Sequence, residues 1–158
     1  MATTYRSKDM ELDKIYNEDC LEGMKRIPDG SVDAIICDLP YGTTANKWDS
    51  IIPFDKLWEQ YKRIIKRNGA IVLFSQQPFT SALVMSNPQM FKYEWIWEKE
   101  GGTGFLNANY APLKIHENIC IFSFGAAAPT NNIENRIVYN PQYTKGEPYK
   151  HKQRGGGN

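Results

Sequence analysis

The chain is poor in the residues that build metal centres and disulfide frameworks. Its 158 residues include only three cysteines, Cys20, Cys37 and Cys120, and two histidines, His116 and His151. Three scattered cysteines with no Cys-x-x-Cys pair and no Cys/His cluster indicate neither a zinc site nor a stapled fold, and no metal is expected. Long hydrophobic runs are also lacking. No stretch approaches the ~20 apolar residues of a membrane-spanning helix, so no membrane partner is expected. Met1 to Met10 is polar and charged, without the apolar core of a secretory leader. A reducing, cytoplasmic setting is therefore the default expectation. Nor is there an excess of charge of one sign. The formal net charge is +1, so no global field points to a polyanion.

What is present suits one globular domain. An apolar fraction of 41% and an aromatic fraction of 13% argue against wholesale disorder. The charge is uneven: residues 1–60 carry 7 Lys/Arg against 12 Asp/Glu, and residues 61–158 carry 12 against 6. The second half is the more basic face for a nucleic acid.

Hydrophobic periodicity lays out alternating elements. Lys14-Ile15-Tyr16 reads as a short strand, and Asp19 as the cap of a helix over 20–26 with Leu21, Met24 and Ile27 on one face. Pro28-Asp29-Gly30-Ser31 is a turn. Ala34 to Cys37 reads as a buried parallel strand, so strand, helix and strand suggest a βαβ unit. A loop over 42–53 follows. Phe54-Asp55 opens the best helix, with Leu57, Trp58, Tyr61, Ile64 and Ile65 on one stripe, Lys62, Arg63, Lys66 and Arg67 in its last turns, and Asn68-Gly69 as its stop. Ala70 to Phe74 is a second buried strand, and residues 80–86 a short helix. Tyr93 to Glu98 and His116 to Phe124 read as strands separated by a flexible loop from Lys99 to about Pro112. Strands without an intervening helix predict an antiparallel edge.

The first buried strand ends in Asp38-Leu39-Pro40-Tyr41-Gly42. Ligands of open α/β sheets bind beyond the carboxyl ends of the strands. A carboxylate, a rigid carbonyl and an aromatic ring delivered there suit a planar heterocycle bearing an amino group. The second strand ends in a similar polar and aromatic run, Ser75-Gln76-Gln77-Pro78-Phe79. Gly101-Gly102-Thr103-Gly104 lacks the spacing and the strand-to-helix setting of a phosphate loop.

The tetrapeptide Asp38-Leu39-Pro40-Tyr41 resembles motif IV of the amino-group DNA methyltransferases, Asp/Asn/Ser-Pro-Pro-aromatic. Leu39 at the second position is a departure found in phage-type members. The resemblance extends through Asn17 to Leu21, Ser31-Val32-Asp33, Asn46-Lys47-Trp48-Asp49, Leu73 to Phe79, Tyr93 to Lys99, and His116-Glu117 with Phe122. It covers roughly residues 14–124.

It implies a partial, Rossmann-like α/β sheet of the S-adenosylmethionine-dependent methyltransferases with an antiparallel edge. Residues 1–124 would form the target-base subdomain. Residues 125–158 would begin a target-recognition region or a flexible tail, in which Arg136, Tyr139, Tyr143, Lys145, Tyr149, Lys150, Lys152 and Arg154 interleave charge and rings. Such enzymes methylate adenine N6 or cytosine N4 of double-stranded DNA, many of them in restriction-modification. The implied roles are Asp38, Pro40 and Tyr41 in catalysis, and Asp19, Asp38 and Leu39 at S-adenosylmethionine. Tyr41, Lys47, Trp48, Phe79, His116 and Glu117 would lie at the substrate.

For several of these a plainer role competes: Asp19 as a helix cap, Trp48 and Phe79 as packing, Lys47 as a solvated charge, His116-Glu117 as the start of an edge strand. Adenine N6 is favoured over cytosine N4 because Asp opens the motif. The family's glycine-rich cofactor loop, Asp-Pro-Phe-x-Gly-Ser-Gly-like, does not occur in the chain. A cofactor half supplied by a second chain or a longer protein is therefore expected. A non-catalytic DNA-binding remnant, or an enzyme acting on RNA or a protein amide, are the alternatives.

Overall fold

A computed structural model describes residues 11–129, 131–132 and 135–146. Tyr149, Lys150, Lys152 and Arg154, assigned above to the start of a target-recognition region or a flexible tail, lie outside the described residues. Helix α1 (Cys20–Met24) precedes strand β1 (Val32–Asp38). Helix α2 (Phe54–Ile64), strand β2 (Ile65–Ser75) and helix α3 (Phe79–Ser86) come next. Strand β3 (Phe91–Thr103), a short 3-10 turn at Phe105–Asn107 and strand β4 (Lys114–Phe122) complete the order.

The four strands form one sheet in the order β1-β2-β4-β3. β1 and β2 are parallel, with Asp38 opposite Phe74. β4 runs antiparallel to both β2 and β3, with Ser75 opposite Asn118. The sheet is thus α/β with an antiparallel edge, as its strand spacing predicts. The βαβ unit is β1-α2-β2. Lys14 to Tyr16 forms no strand: nothing among the described residues pairs with it, and Ile15 is fully exposed.

Helix α2 buries Leu57, Trp58, Tyr61 and Ile64. Each such aliphatic side chain contributes about 1.5–3 kcal/mol of burial. Trp58 packs its ring 4.9 Å from that of Phe122 and donates its indole N–H to Ser86 Oγ at 2.7 Å. The helix ends at Ile64, earlier than its cationic last turns imply. Ile65 already has extended backbone, and Lys66 to Gly69 belong to β2. Gly69 is required there for a different reason: a Cβ would sit 2.7 Å from the Asp33 carbonyl of the neighbouring strand. Arg63 reaches back to α1, donating to the Met24 and Ile27 carbonyls at 2.6 and 2.7 Å and so capping the open end of that helix.

The helices cover one face of the sheet, over Ile71, Leu73, Cys120 and Phe122. The other face is open. β1 is consequently not a strand buried on both sides: Ile36 is 72% exposed, because among the described residues β1 is an edge strand with no layer above it. Trp95 and Trp97 are also exposed. β3 continues to Thr103, so the expected loop begins five residues later than its glycines suggest. The segment after β4 returns over part of the open face. Ile137 is buried, Val138 N–H bonds to the Asn68 carbonyl, and the Tyr139 and Tyr93 rings lie 6.3 Å apart. Tyr139 thus touches the sheet through Tyr93 while remaining exposed, and Tyr143 is exposed too.

Candidate active site

The register of the sheet brings three chain segments to one edge. Asp38 closes β1 beside Phe74 of β2, which in turn faces Ile119 of β4. One residue further along, Ser75 faces Asn118. The run 38–42, the run 75–79 and the start of β4 therefore meet beyond the carboxyl ends of β1 and β2.

Asp38 is exposed, and its Oδ1 accepts a hydrogen bond from the Tyr41 hydroxyl at 2.6 Å. Burial pushes the Tyr41 phenol up from its ordinary range, and the hydrogen bond to Asp38, with the charges of Asp38 and Glu117, pushes it the same way. The phenol therefore remains a protonated donor. The Tyr41 ring lies 5.1 Å from that of Phe79, tilted 35°, and Phe79 is 5.7 Å from Phe54. Phe79 is only 4% exposed. It is a backing for Tyr41 rather than a wall of the cleft, because the first turn of α3 turns its ring into the core.

Leu39 likewise turns its side chain into the core. Asp19 caps α1: its Oδ1 accepts from the Leu21 and Glu22 N–H groups at 2.8 and 3.3 Å. Glu117 forms an ion pair with Lys99. His116 is exposed and lies opposite Glu98. Adjacent strand residues point to opposite faces, so His116 and Glu117 are divided between the two sides of the sheet. Lys47 and Trp48 form the exposed tip of the following loop, Trp48 at 73% exposure.

Two features escape sequence reading. Asp49 is 8% exposed and accepts backbone N–H bonds from Gly42, Thr43 and Thr44 at 2.9, 2.9 and 2.6 Å. The Thr44 hydroxyl and then the Gly42 N–H lead in holding its carboxyl down at about 2. The small residues Gly42-Thr43-Thr44 ahead of an isolated acid were the available signal. The second feature is a buried polar string. Thr80 Oγ1 donates to Ser75 Oγ at 3.0 Å, and Asn118 Nδ2 donates to Glu94 Oε2 at 2.9 Å. Ser75 Oγ also lies 3.5 Å from the Cys120 sulfur, and burial pushes that thiol up. The string holds the 75–79 run, and with it Phe79, against β4. Asn118, a lone amide inside an apolar strand, was its sequence signal. Among the described residues no group of three His, Cys, Asp or Glu is arranged to hold a metal ion.

No protein-family profile matches the chain. It is 25% identical over 141 residues to the type II methyltransferase M1.MboII of Moraxella bovis, an alignment covering 82% of this chain and 53% of that protein. It is 29% identical over 75 residues to the type II methyltransferase M.BamHI of Bacillus amyloliquefaciens, covering 41% of this chain and 18% of the other. The chain thus spans about half the length of the first of these relatives, and less of the second. Two solved structures share the fold. The PvuII DNA methyltransferase (cytosine-N4-specific) superposes with a TM-score of 0.56 at 12% identity, over 84% of this chain and 58% of its own. The M1.HpyAVI-SAM complex superposes with a TM-score of 0.52 at 21% identity, over 84% and 69%.

Proposed function

We propose, for a chain that is related to type II DNA methyltransferases and has their α/β fold, that it forms the target-base half of an S-adenosylmethionine-dependent DNA methyltransferase. The observation carrying this reading is the pairing of Asp38 with Tyr41 at the end of β1: an open carboxylate beside a ring backed by Phe79. The exocyclic amino group of a base is inaccessible inside a duplex, so the base must be extruded into such a pocket. Tyr41 stacks on the extruded ring, a contact worth about 1–3 kcal/mol. Asp38, through the oxygen that Tyr41 leaves free, and the Pro40 carbonyl accept the two N–H bonds of the amino group. Those bonds draw the nitrogen lone pair out of the ring. S-adenosylmethionine, when bound, supplies a sulfonium methyl whose C–S electron pair stays on sulfur as the N–C bond forms. The surplus proton on nitrogen then leaves to Asp38 or water. Proton removal need not come first, since carboxylates are weak bases (pKa ~3.9).

The residues present fit the cofactor in part. Asp19 spends one carboxylate oxygen on α1, which leaves Oδ2 for the adenosyl group. The backbone at Leu39 would help hold the cofactor beside Asp38. The grip on the methionine end belongs to a glycine-rich segment carried by a second chain or a longer protein. Lys47 and Trp48 face the DNA, and Glu117 lines the base pocket. Adenine N6 is the preferred target.

A tritiated-methyl transfer assay tests this reading. The chain, with and without a co-expressed cofactor half, is offered duplex DNA, RNA and protein. Label on DNA adenine, dependent on the added half, is the expected result. Binding of DNA with no transfer under any condition identifies a non-catalytic remnant, and label confined to RNA or protein overturns the substrate assignment.

A further inference from the structure

We infer that Asp49 is a positioning residue of the base pocket, holding Tyr41 and the Pro40 carbonyl in place by clamping the three peptide N–H groups that follow them. This rests on the base-pocket reading above. An aspartate bonded to nearby backbone is commonly a local turn device reaching two residues along. Asp49 instead reaches back five, six and seven residues, and both its oxygens are engaged: Oδ1 by Gly42, Oδ2 by Thr43 and Thr44. Three successive N–H groups converging on one carboxylate form an anion nest, here filled by the protein's own side chain.

The geometry transmits to the pocket along the backbone. The Gly42 N–H belongs to the planar Tyr41–Gly42 peptide. Fixing that plane fixes ψ of Tyr41, one residue from the Pro40 carbonyl. Gly42 turns the chain with φ +68, and a Cβ there would lie 3.0 Å from Ile51 Cγ1, so the returning strand of the loop closes over it. The Asp49 N–H bonds to the Asn46 carbonyl at 3.0 Å and shapes the turn that displays Lys47 and Trp48. One buried carboxylate therefore ties the ring at the pocket floor to the exposed loop tip.

The test is an NMR titration of the whole chain with 9-methyladenine, following the Tyr41 and Phe79 ring signals. Wild type is expected to show saturable shifts at both. Asp49→Asn replaces one acceptor oxygen by a donor facing an N–H, and should raise the half-saturation concentration at least fivefold while the Trp58 and Phe122 core signals stay in place. Asp49→Glu, which keeps the charge, should recover part of that loss. Thr44→Val removes only the hydroxyl beside Asp49, keeps the fold if Asp49→Asn does not, and should raise half-saturation about twofold. Variants that titrate like wild type overturn the positioning role. Rings that do not respond in wild type overturn the base-pocket reading itself, and the inference with it.

Discussion

The two faces of this sheet are built from the same strands and differ completely in how they are finished. On the helix side, Leu57, Ile71, Leu73, Leu83 and Phe122 are fully buried. On the other side, Ile36, Trp95 and Trp97 stand exposed, and among the described residues the segments 126–129 and 136–142 lie over part of the surface. The residues that would meet a base are anchored to the finished side. Tyr41 rests on Phe79, which rests on Phe54, and the 75–79 run is tied to β4 by Thr80 and Asn118. The proposed base pocket is therefore anchored on the covered face, although among the described residues the second face carries no helical layer.

Substitution on the two faces of the sheet should show this difference most strongly. Leu57→Ala is expected to cost about 3–4 kcal/mol of unfolding free energy in urea. Ile36→Thr on the open face should stay within about 0.5 kcal/mol. Equal losses at the two positions would mean that the open face is covered. The next largest effect concerns how the helix layer is held together. Arg63→Ala removes the donors to Met24 and Ile27, leaving the Ile27 carbonyl without that bond and the Met24 carbonyl with the Ile27 N–H alone, for an expected loss of about 2 kcal/mol. The partner Asp29 is mostly exposed, so Asp29→Ala should change stability by less than about 1 kcal/mol.

A pH series sharpens the comparison at the pocket. Asp49 has its carboxyl lowered in the folded state to about 2, against an ordinary value of ~3.9. Its contribution is therefore complete above the unfolded value and is lost as pH falls through the folded one. The stability gap between wild type and Asp49→Asn should be widest at pH 5 to 7 and narrow steadily toward pH 2 in denaturant titrations. A gap that widens on acidification would contradict the clamp. The smallest effect belongs to the loop tip. Trp48→Ala should leave the thermal midpoint within about 2 °C, since the ring is exposed, yet weaken binding to duplex DNA in a fluorescence titration.

Much of this arrangement was legible in the sequence because it is local. The α2 stripe, the Asp19 cap, the turn at Gly30 and the polar endings of the first two buried runs all follow from spacing a few residues long. The bond between Asp38 and Tyr41 lies within one motif. What sequence could not supply is decided by neighbours across the sheet. Ala34 to Cys37 has the composition of a doubly covered strand, but its burial depends on a layer that periodicity does not reveal. Ile65 continues the apolar stripe of α2 and becomes strand instead, since pairing with Val32 outweighs helical spacing. Lys14 to Tyr16 has strand propensity and no strand to pair with among the described residues. Phe79 fits either a cleft wall or a core, and only the direction of α3 decides. Asp49 and Asn118 read as ordinary polar residues until the chain brings their partners to them.

If Asp38 at the end of β1 accepts the amino group to be methylated, one substitution should reveal it. Methyl transfer to duplex DNA is measured for wild type and Asp38→Ala, each reconstituted with a cofactor half, with thermal midpoints recorded alongside. Asp38→Ala is expected to lose at least a hundredfold in transfer with little change in midpoint, since the side chain is exposed and contributes little to the core. Transfer retained at the wild-type rate by Asp38→Ala would contradict it.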